Sequence, residues 1–161
     1  MDAVQEWYVR GGAYRMNRAV RGEANSMDAR ERKLARQFIA AFDEIEPLAE
    51  PMRLYRGIGA GSYLDQQGQY MSTSESWDIA DSFTREDLVR DPVSGRMRAV
   101  PAGEVLILDV QPGVRVMHIG GVQREWVIEA DVEVTETRRS TGNSRTDRST
   151  RIWVTVTRKE A

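Results

Sequence analysis

The sequence predicts an α+β fold on three observations. Apolar residues recur at helical spacing through the first fifty positions. Beyond Pro51 the pattern changes to short apolar or alternating runs. Glycine, proline and small polar residues separate those runs at short intervals. Helices first and strands later are the arrangement of an α+β domain. The expected unit is residues 1–161, with a helical part over 1–50 and a β-rich core over 51–161.

Residues 3–10 read as a short helix that Gly11 and Gly12 interrupt, and 13–22 as a second helix closed by Gly22. Residues 27–46 form the third. There Leu34, Phe38, Phe42 and Ile45 recur at spacings of four, four and three, which places them on one helix face. Asp28 supplies an N-cap, and Pro47 and Pro51 end the segment. Residues 52–57 are a short strand, 57–69 a loop rich in glycine and glutamine, and 70–72 a brief strand. Residues 76–90 fit a helix with Ser74 or Ser76 as N-cap and with Ile79 and Phe83 four apart. The turn chemistry of 91–103 predicts a flexible connection. Residues 104–110 are a continuous apolar run suited to a buried central strand. Strand runs follow at 114–119, 125–129 and 131–137, and the polar stretch 138–150 reads as a hairpin tip or mobile loop. In the last strand, 151–157, Ile152, Val154 and Val156 alternate with Trp153, Thr155 and Thr157.

Composition narrows the function classes. At 161 residues, 40% apolar and 30% charged, the chain is long enough for a sizeable core. A net charge of −2 argues against a duplex-DNA binder. The absence of cysteine excludes disulfides, thiol nucleophiles and thiolate-bound zinc, and the single histidine, His118, excludes a histidine-rich metal site. No apolar stretch approaches the roughly 18 residues of a membrane span, and no signal-peptide pattern opens the chain. The expected location is the cytosol of a host or target cell.

Three features carry chemistry: Arg56 in Leu-Tyr-Arg-Gly, the run Ser72-Thr73-Ser74, and Gln123-Arg124-Glu125 leading into an apolar strand. Each alone is ordinary. An arginine on a strand is usually solvated or ion-paired, a hydroxyl run usually caps a helix, and a glutamate at a strand edge is usually a surface charge. In this order they resemble the arginine, Ser-Thr-Ser, glutamate pattern of ADP-ribosyltransferases related to the clostridial binary and C3-type toxins, a family with phage and bacterial effectors among its members. Residues 8–22, 54–57, 68–83, 105–113 and 122–128 resemble that family's segments, so the likeness spans nearly the whole chain. It implies N-terminal helices packed on a two-sheet β core of the ADP-ribosyltransferase type, and NAD as substrate with no metal.

The chemistry fits that resemblance. NAD joins a dianionic pyrophosphate to a cationic nicotinamide ribose. A planar guanidinium such as Arg56 grips phosphate oxygens through two hydrogen bonds. Cleaving the nicotinamide bond develops a ribosyl cation, and a fixed carboxylate such as Glu125 stabilises charge that exists only in the transition state. The resemblance implies that Ser72 orients Glu125 and that Thr73 and Ser74 set the strand edge against the nicotinamide half. Gly57 follows Arg56 in the NAD-binding strand, where a paired arginine is absent. Phe83 matches an aromatic that packs on nicotinamide; its alternative is core packing with Ile79. Asn17 and Arg21 match helix residues that reach NAD, and Tyr8 and Arg85 are further NAD-binding candidates. Gln123, two residues before Glu125, stands where arginine-modifying members carry a glutamate, which points away from arginine as acceptor. The implied partner is a macromolecular acceptor, a host protein in the first place, with a nucleic-acid acceptor left open and no membrane component. An NAD glycohydrolase and a non-catalytic binding module of the same fold are the alternatives.

Overall fold

The structure is a computed structural model. It describes residues 1–20, 22, 27–58, 68–84, 86–143 and 148–160. Most of the 57–69 loop, the centre of the 138–150 segment, Arg21 and Arg85 lie outside the described residues.

Asp2 caps helix α1 (Ala3–Trp7) by accepting from the N–H groups of Val4 and Gln5, and the Gln5 side chain answers on the Asp2 backbone. The chain then kinks across Tyr8–Gly12 at Gly11, whose φ of +113° suits a residue without Cβ. A Cβ at Gly12 would lie 2.6 Å from the Trp7 ring, so the kink also packs too tightly for alanine. Helix α2 (Ala13–Val20) follows. Helix α3 (Ala29–Asp43) starts on a second reciprocal cap, Asp28 with Glu31. It buries Ala35, Phe38 and Phe42 along one face, as its apolar spacing requires.

The strands are β1 (Met52–Ile58), β2 (Met71–Ser74), β3 (Glu86–Arg90), β4 (Met97–Pro101), β5 (Glu104–Val110), β6 (Val116–Gly120), β7 (Glu125–Ile128), β8 (Val132–Thr141) and β9 (Thr150–Arg158), with helix α4 (Trp77–Ser82) between β2 and β3. Seven of them form one mixed sheet in the order β6-β7-β2-β1-β5-β9-β8, and β3 and β4 form a separate ribbon. Within the large sheet β5 pairs with β9 in parallel, and the other pairings are antiparallel. The apolar run of β5 lies at the centre, with Val105, Leu106 and Leu108 fully buried. Leu54, Leu108, Ile152, Val154 and Val156 build the main core on one face. Each fully buried side chain of this kind contributes about 1.5–3 kcal/mol relative to exposure. The helices cover the β6–β7 end through a second cluster, in which Tyr8 stacks on Phe38 at 4.3 Å and Phe42 and Tyr70 close around them. The α+β prediction therefore holds, with helices on a mixed sheet beside a small ribbon.

The expected elements over 76–90 and 91–103 differ, and residues 138–141, expected in a tip or loop, extend β8. The helix expected over 76–90 ends at Ser82. Thr84 terminates it by returning both its N–H and its hydroxyl to the Asp81 carbonyl, at 3.0 and 2.8 Å. The chain then forms β3, and the expected connection 91–103 is a tight turn plus β4. Asp91 builds the turn, accepting at Oδ1 from the N–H groups of Val93 and Ser94, while Gly95 takes a φ of +69°. The two apolar positions Ile79 and Phe83 suggested a helical period that the next residues do not continue. Among the described residues, no helix is long and apolar enough to cross a membrane.

Candidate active site

Strands β1, β2 and β7 are neighbours in the sheet, and each brings one of the three predicted features. Tyr55 pairs with Ser74, and Ser74 pairs with Glu125. The segments carrying Arg56, the hydroxyl run and the glutamate, far apart in sequence, thus meet across three adjacent strands. They line a cleft of about 260 Å³ whose other walls include Tyr8, Gly57, Phe83 and Gln123.

Glu125 is 9% exposed. Burial pushes its carboxyl above the usual range, and the Ser72 hydroxyl, by hydrogen bonding, and the Arg56 guanidinium pull it back. Ser72 is itself held, since its Oγ lies 3.1 Å from the hydroxyl of Tyr8. Burial raises the Tyr8 phenol above its ordinary value, so it stays protonated and able to donate. Arg56 donates from Nη1 to the Ser72 carbonyl, and its buried Nε has no partner among the described residues. Burial lowers the guanidinium's pKa, and the neighbouring Tyr8 and Glu125 oppose that shift. An arginine remains charged regardless. Tyr8, Ser72, Glu125 and Arg56 therefore form one interacting group around a single carboxylate.

The turn into β7 sets the height of that carboxylate. Gly120 and Gly121 adopt φ of +77° and +78°, and Arg124, immediately before Glu125, adopts +47°. A positive φ in a non-glycine residue is uncommon and persists where the surroundings enforce it. Here the Arg124 N–H bonds the Gly121 carbonyl at 3.1 Å, and the Ser74 hydroxyl donates to the Gln123 carbonyl at 2.9 Å. Thr73 donates to the Trp126 carbonyl at 2.8 Å. The three consecutive hydroxyls thus divide their work: Ser72 serves the carboxylate, while Thr73 and Ser74 fasten the strand and turn that carry it. Ser74 Oγ also accepts from the Ser76 N–H at 3.1 Å, so Ser76 opens α4 without a cap from its own side chain.

Gly57 lines the cleft, yet its position is fixed by packing. A Cβ there would lie 1.8 Å from the Ala80 carbonyl oxygen, so α4 touches β1 only because residue 57 is glycine. That contact brings Phe83 to the rim, where it is 56% exposed and faces the cleft and solvent, not a core with Ile79. Asn17 does not join the group. Its amide spends both ends on the Tyr70 backbone at 2.9 Å each, which docks α2 against the entry to β2. His118 packs its ring on Trp126 at 4.3 Å, outside the cleft lining. Tyr55 also lines the cleft and was not singled out from sequence; its signal was its place next to Arg56 on the same strand.

No family model matches this sequence, and no curated protein matches it. Solved structures do. Exoenzyme S from Pseudomonas aeruginosa, in complex with human 14-3-3 protein beta and bound to carba-NAD, superposes with a TM-score of 0.64 at 17% identity over 94% of this chain and 70% of that one. The Vis toxin, an ADP-ribosyltransferase from Vibrio splendidus, gives 0.61 at 16% identity over 100% and 76%. The Clostridium limosum C3 exoenzyme gives 0.63 at 16% identity over 98% and 87%. The arrangement of helices and sheet described above is accordingly the fold of the ADP-ribosyltransferase toxins.

Proposed function

We propose that the protein is an NAD-dependent mono-ADP-ribosyltransferase. It cleaves the bond between nicotinamide and ribose and transfers ADP-ribose to a macromolecular acceptor, a protein of a host cell, in that cell's cytosol. The observation that carries this reading is the buried Glu125 carboxylate, held between Ser72 and Arg56 in a cleft of this fold. The carba-NAD bound to exoenzyme S supports NAD as the substrate. So does the buried Nε of Arg56, a donor beside the cleft without a partner among the described residues.

Glu125 supplies negative charge where the ribosyl carbon becomes cationic, an interaction that strengthens as the transition state forms. Removing one such preorganised group typically costs about 2.7–4 kcal/mol of barrier. Ser72, oriented by Tyr8, keeps the carboxylate in one rotamer and favours its ionised form. Arg56 adds a fixed positive charge suited to a phosphate or ribose oxygen, and Phe83 offers an exposed ring on which nicotinamide can lie. Nicotinamide leaves as a neutral base, so departure needs no acid. Gln123 sits on the turn two residues before the carboxylate, at the cleft mouth where an incoming nucleophile arrives.

Incubating the protein with NAD labelled in its adenylate half and a cell lysate tests the reading. Label on a macromolecule is the expected result. Free ADP-ribose alone would indicate an NAD glycohydrolase, and neither product would indicate a binding module.

A further inference from the structure

Glu75 directly follows the run Ser72-Thr73-Ser74, one residue past the end of β2. Its two carboxylate oxygens reach the two chain neighbours of Glu125. Oε2 accepts from the Trp126 indole Nε1 at 3.2 Å, and Oε1 lies 3.9 Å from Arg124 Nε. None of these three residues lines the candidate active cleft. Glu75 is therefore joined to the chain on both sides of Glu125 without approaching the NAD site.

The two contacts differ in kind. Trp126 is a fixed point. Thr73 donates to its carbonyl at 2.8 Å, and His118, its register partner on β6, packs on its ring at 4.3 Å. Arg124 is the strained point, with a φ of +47° in a residue that carries a Cβ. Left to itself an arginine prefers extended or right-handed backbone. A return to either would turn the peptide that leads into Glu125 and carry the carboxylate with it. The backbone of this turn is tied at two places, the Gln123 carbonyl by Ser74 and the Arg124 N–H by the Gly121 carbonyl. Glu75 supplies the tie to the Arg124 side chain and anchors it on Trp126.

We propose that Glu75 is a positioning residue for the reaction: it clasps Arg124 and Trp126 and so fixes the backbone that presents Glu125. The inference rests on the transferase reading. Glu75 and Arg124 are both exposed, so their ion pair adds little to global stability. Its effect is local. A displacement of about 1 Å in a reacting group can cost as much as about 100-fold in rate, so catalysis senses the clasp where folding does not. A solvated surface pair without this role would leave both the rate and the turn as they are.

Nicotinamide release by Glu75 variants tests the proposal. Glu75→Ala should lower kcat by about three- to tenfold, while KM for NAD stays within about twofold and Tm within about 2 °C. Glu75→Gln keeps an acceptor for the Trp126 indole and loses the charge facing Arg124, so it should recover part of the rate. It carries the same comparison if the alanine variant fails to fold. In NMR spectra recorded without NAD, the amide signals of residues 121–125 should broaden in Glu75→Ala, because the turn then exchanges between conformations. Native kcat in the folded alanine variant, or a loss that appears in KM instead, would overturn the inference and leave the transferase reading intact. An unaltered protein that releases no nicotinamide would sink the transferase reading itself. Turn signals unchanged by Glu75→Ala would overturn the inference separately, whether or not the protein is active.

Discussion

Replacing Ser72 by alanine removes one hydroxyl from the centre of the cleft and should change the pH dependence of the reaction. Glu125 is 9% exposed, and burial already pushes its carboxyl upward. Two groups oppose that shift, the Ser72 hydroxyl and the Arg56 guanidinium, and the variant deletes the first. A hydrogen bond to a charged group is worth about 1.5–3 kcal/mol. The cleft is open to water on one side, which places the loss at the lower end, about tenfold in kcat/KM near neutral pH. The sign then fixes the pH dependence. The carboxylate acts ionised, and the variant holds it more strongly in the acid form, so the acid limb of the profile moves to higher pH and the deficit grows as pH falls. Stability follows the same linkage. A carboxyl raised above its unfolded value favours the native state below that value and loses its contribution as pH rises through the native one, and Ser72→Ala extends that window upward. Nicotinamide release measured from about pH 5 to 9 reads the effect. A profile that superimposes on that of the unaltered protein would refute the role assigned to Ser72.

Arg56→Lys keeps the charge and loses both the planar fork and the bond to the Ser72 carbonyl. NAD binding measured by calorimetry should weaken by about 1–3 kcal/mol, and unchanged affinity would make Arg56 purely structural. Gly57→Ala places a methyl 1.8 Å from the Ala80 carbonyl oxygen and 3.2 Å from Phe83 Cβ. The resulting displacement of α4 should cost about 1–3 kcal/mol, a fall of several degrees in Tm by scanning calorimetry, together with a raised KM for NAD. Gln123→Ala should suppress modification of the acceptor and spare NAD hydrolysis, because transfer requires the nucleophile within roughly 3–3.5 Å of the ribosyl carbon and water needs no such guidance. If both rates fall together on one preparation, Gln123 belongs to the NAD site instead.

The parts of this molecule legible from sequence are those specified locally. The spacing of Leu34, Phe38 and Phe42 places α3, the Asp28 cap places its start, and Ile45 lies just past its end. The apolar run Val105, Leu106, Ile107 and Leu108 marks an interior strand, and all four are buried. Arg56, Ser72 and Glu125 were recognisable because residue type and order carried the signal, and adjacent strands do bring them together. What escaped depends on partners distant in sequence. The β3–β4 ribbon exists because residues 86–90 find 97–101 across the Asp91 turn, and Leu88 and Val89 carry no mark that separates strand from helix. Asn17 looked available to a ligand, and only the docking of α2 commits its amide to Tyr70. The stacking of Tyr8 on Phe38, which aims its hydroxyl at Ser72, likewise joins residues thirty positions apart. The backbone roles of Thr73 and Ser74 follow from strand register, which the sequence does not print.

The central claim is that the Glu125 carboxylate drives cleavage of the nicotinamide bond. Glu125→Gln tests it most directly, since the change is nearly isosteric, deletes one charge and leaves a group that can still accept from Ser72. Nicotinamide release should fall by about two orders of magnitude or more, about 3 kcal/mol of lost transition-state stabilisation, while NAD affinity measured by calorimetry stays close to that of the unaltered protein. Turnover near the native rate in the folded variant would contradict the account.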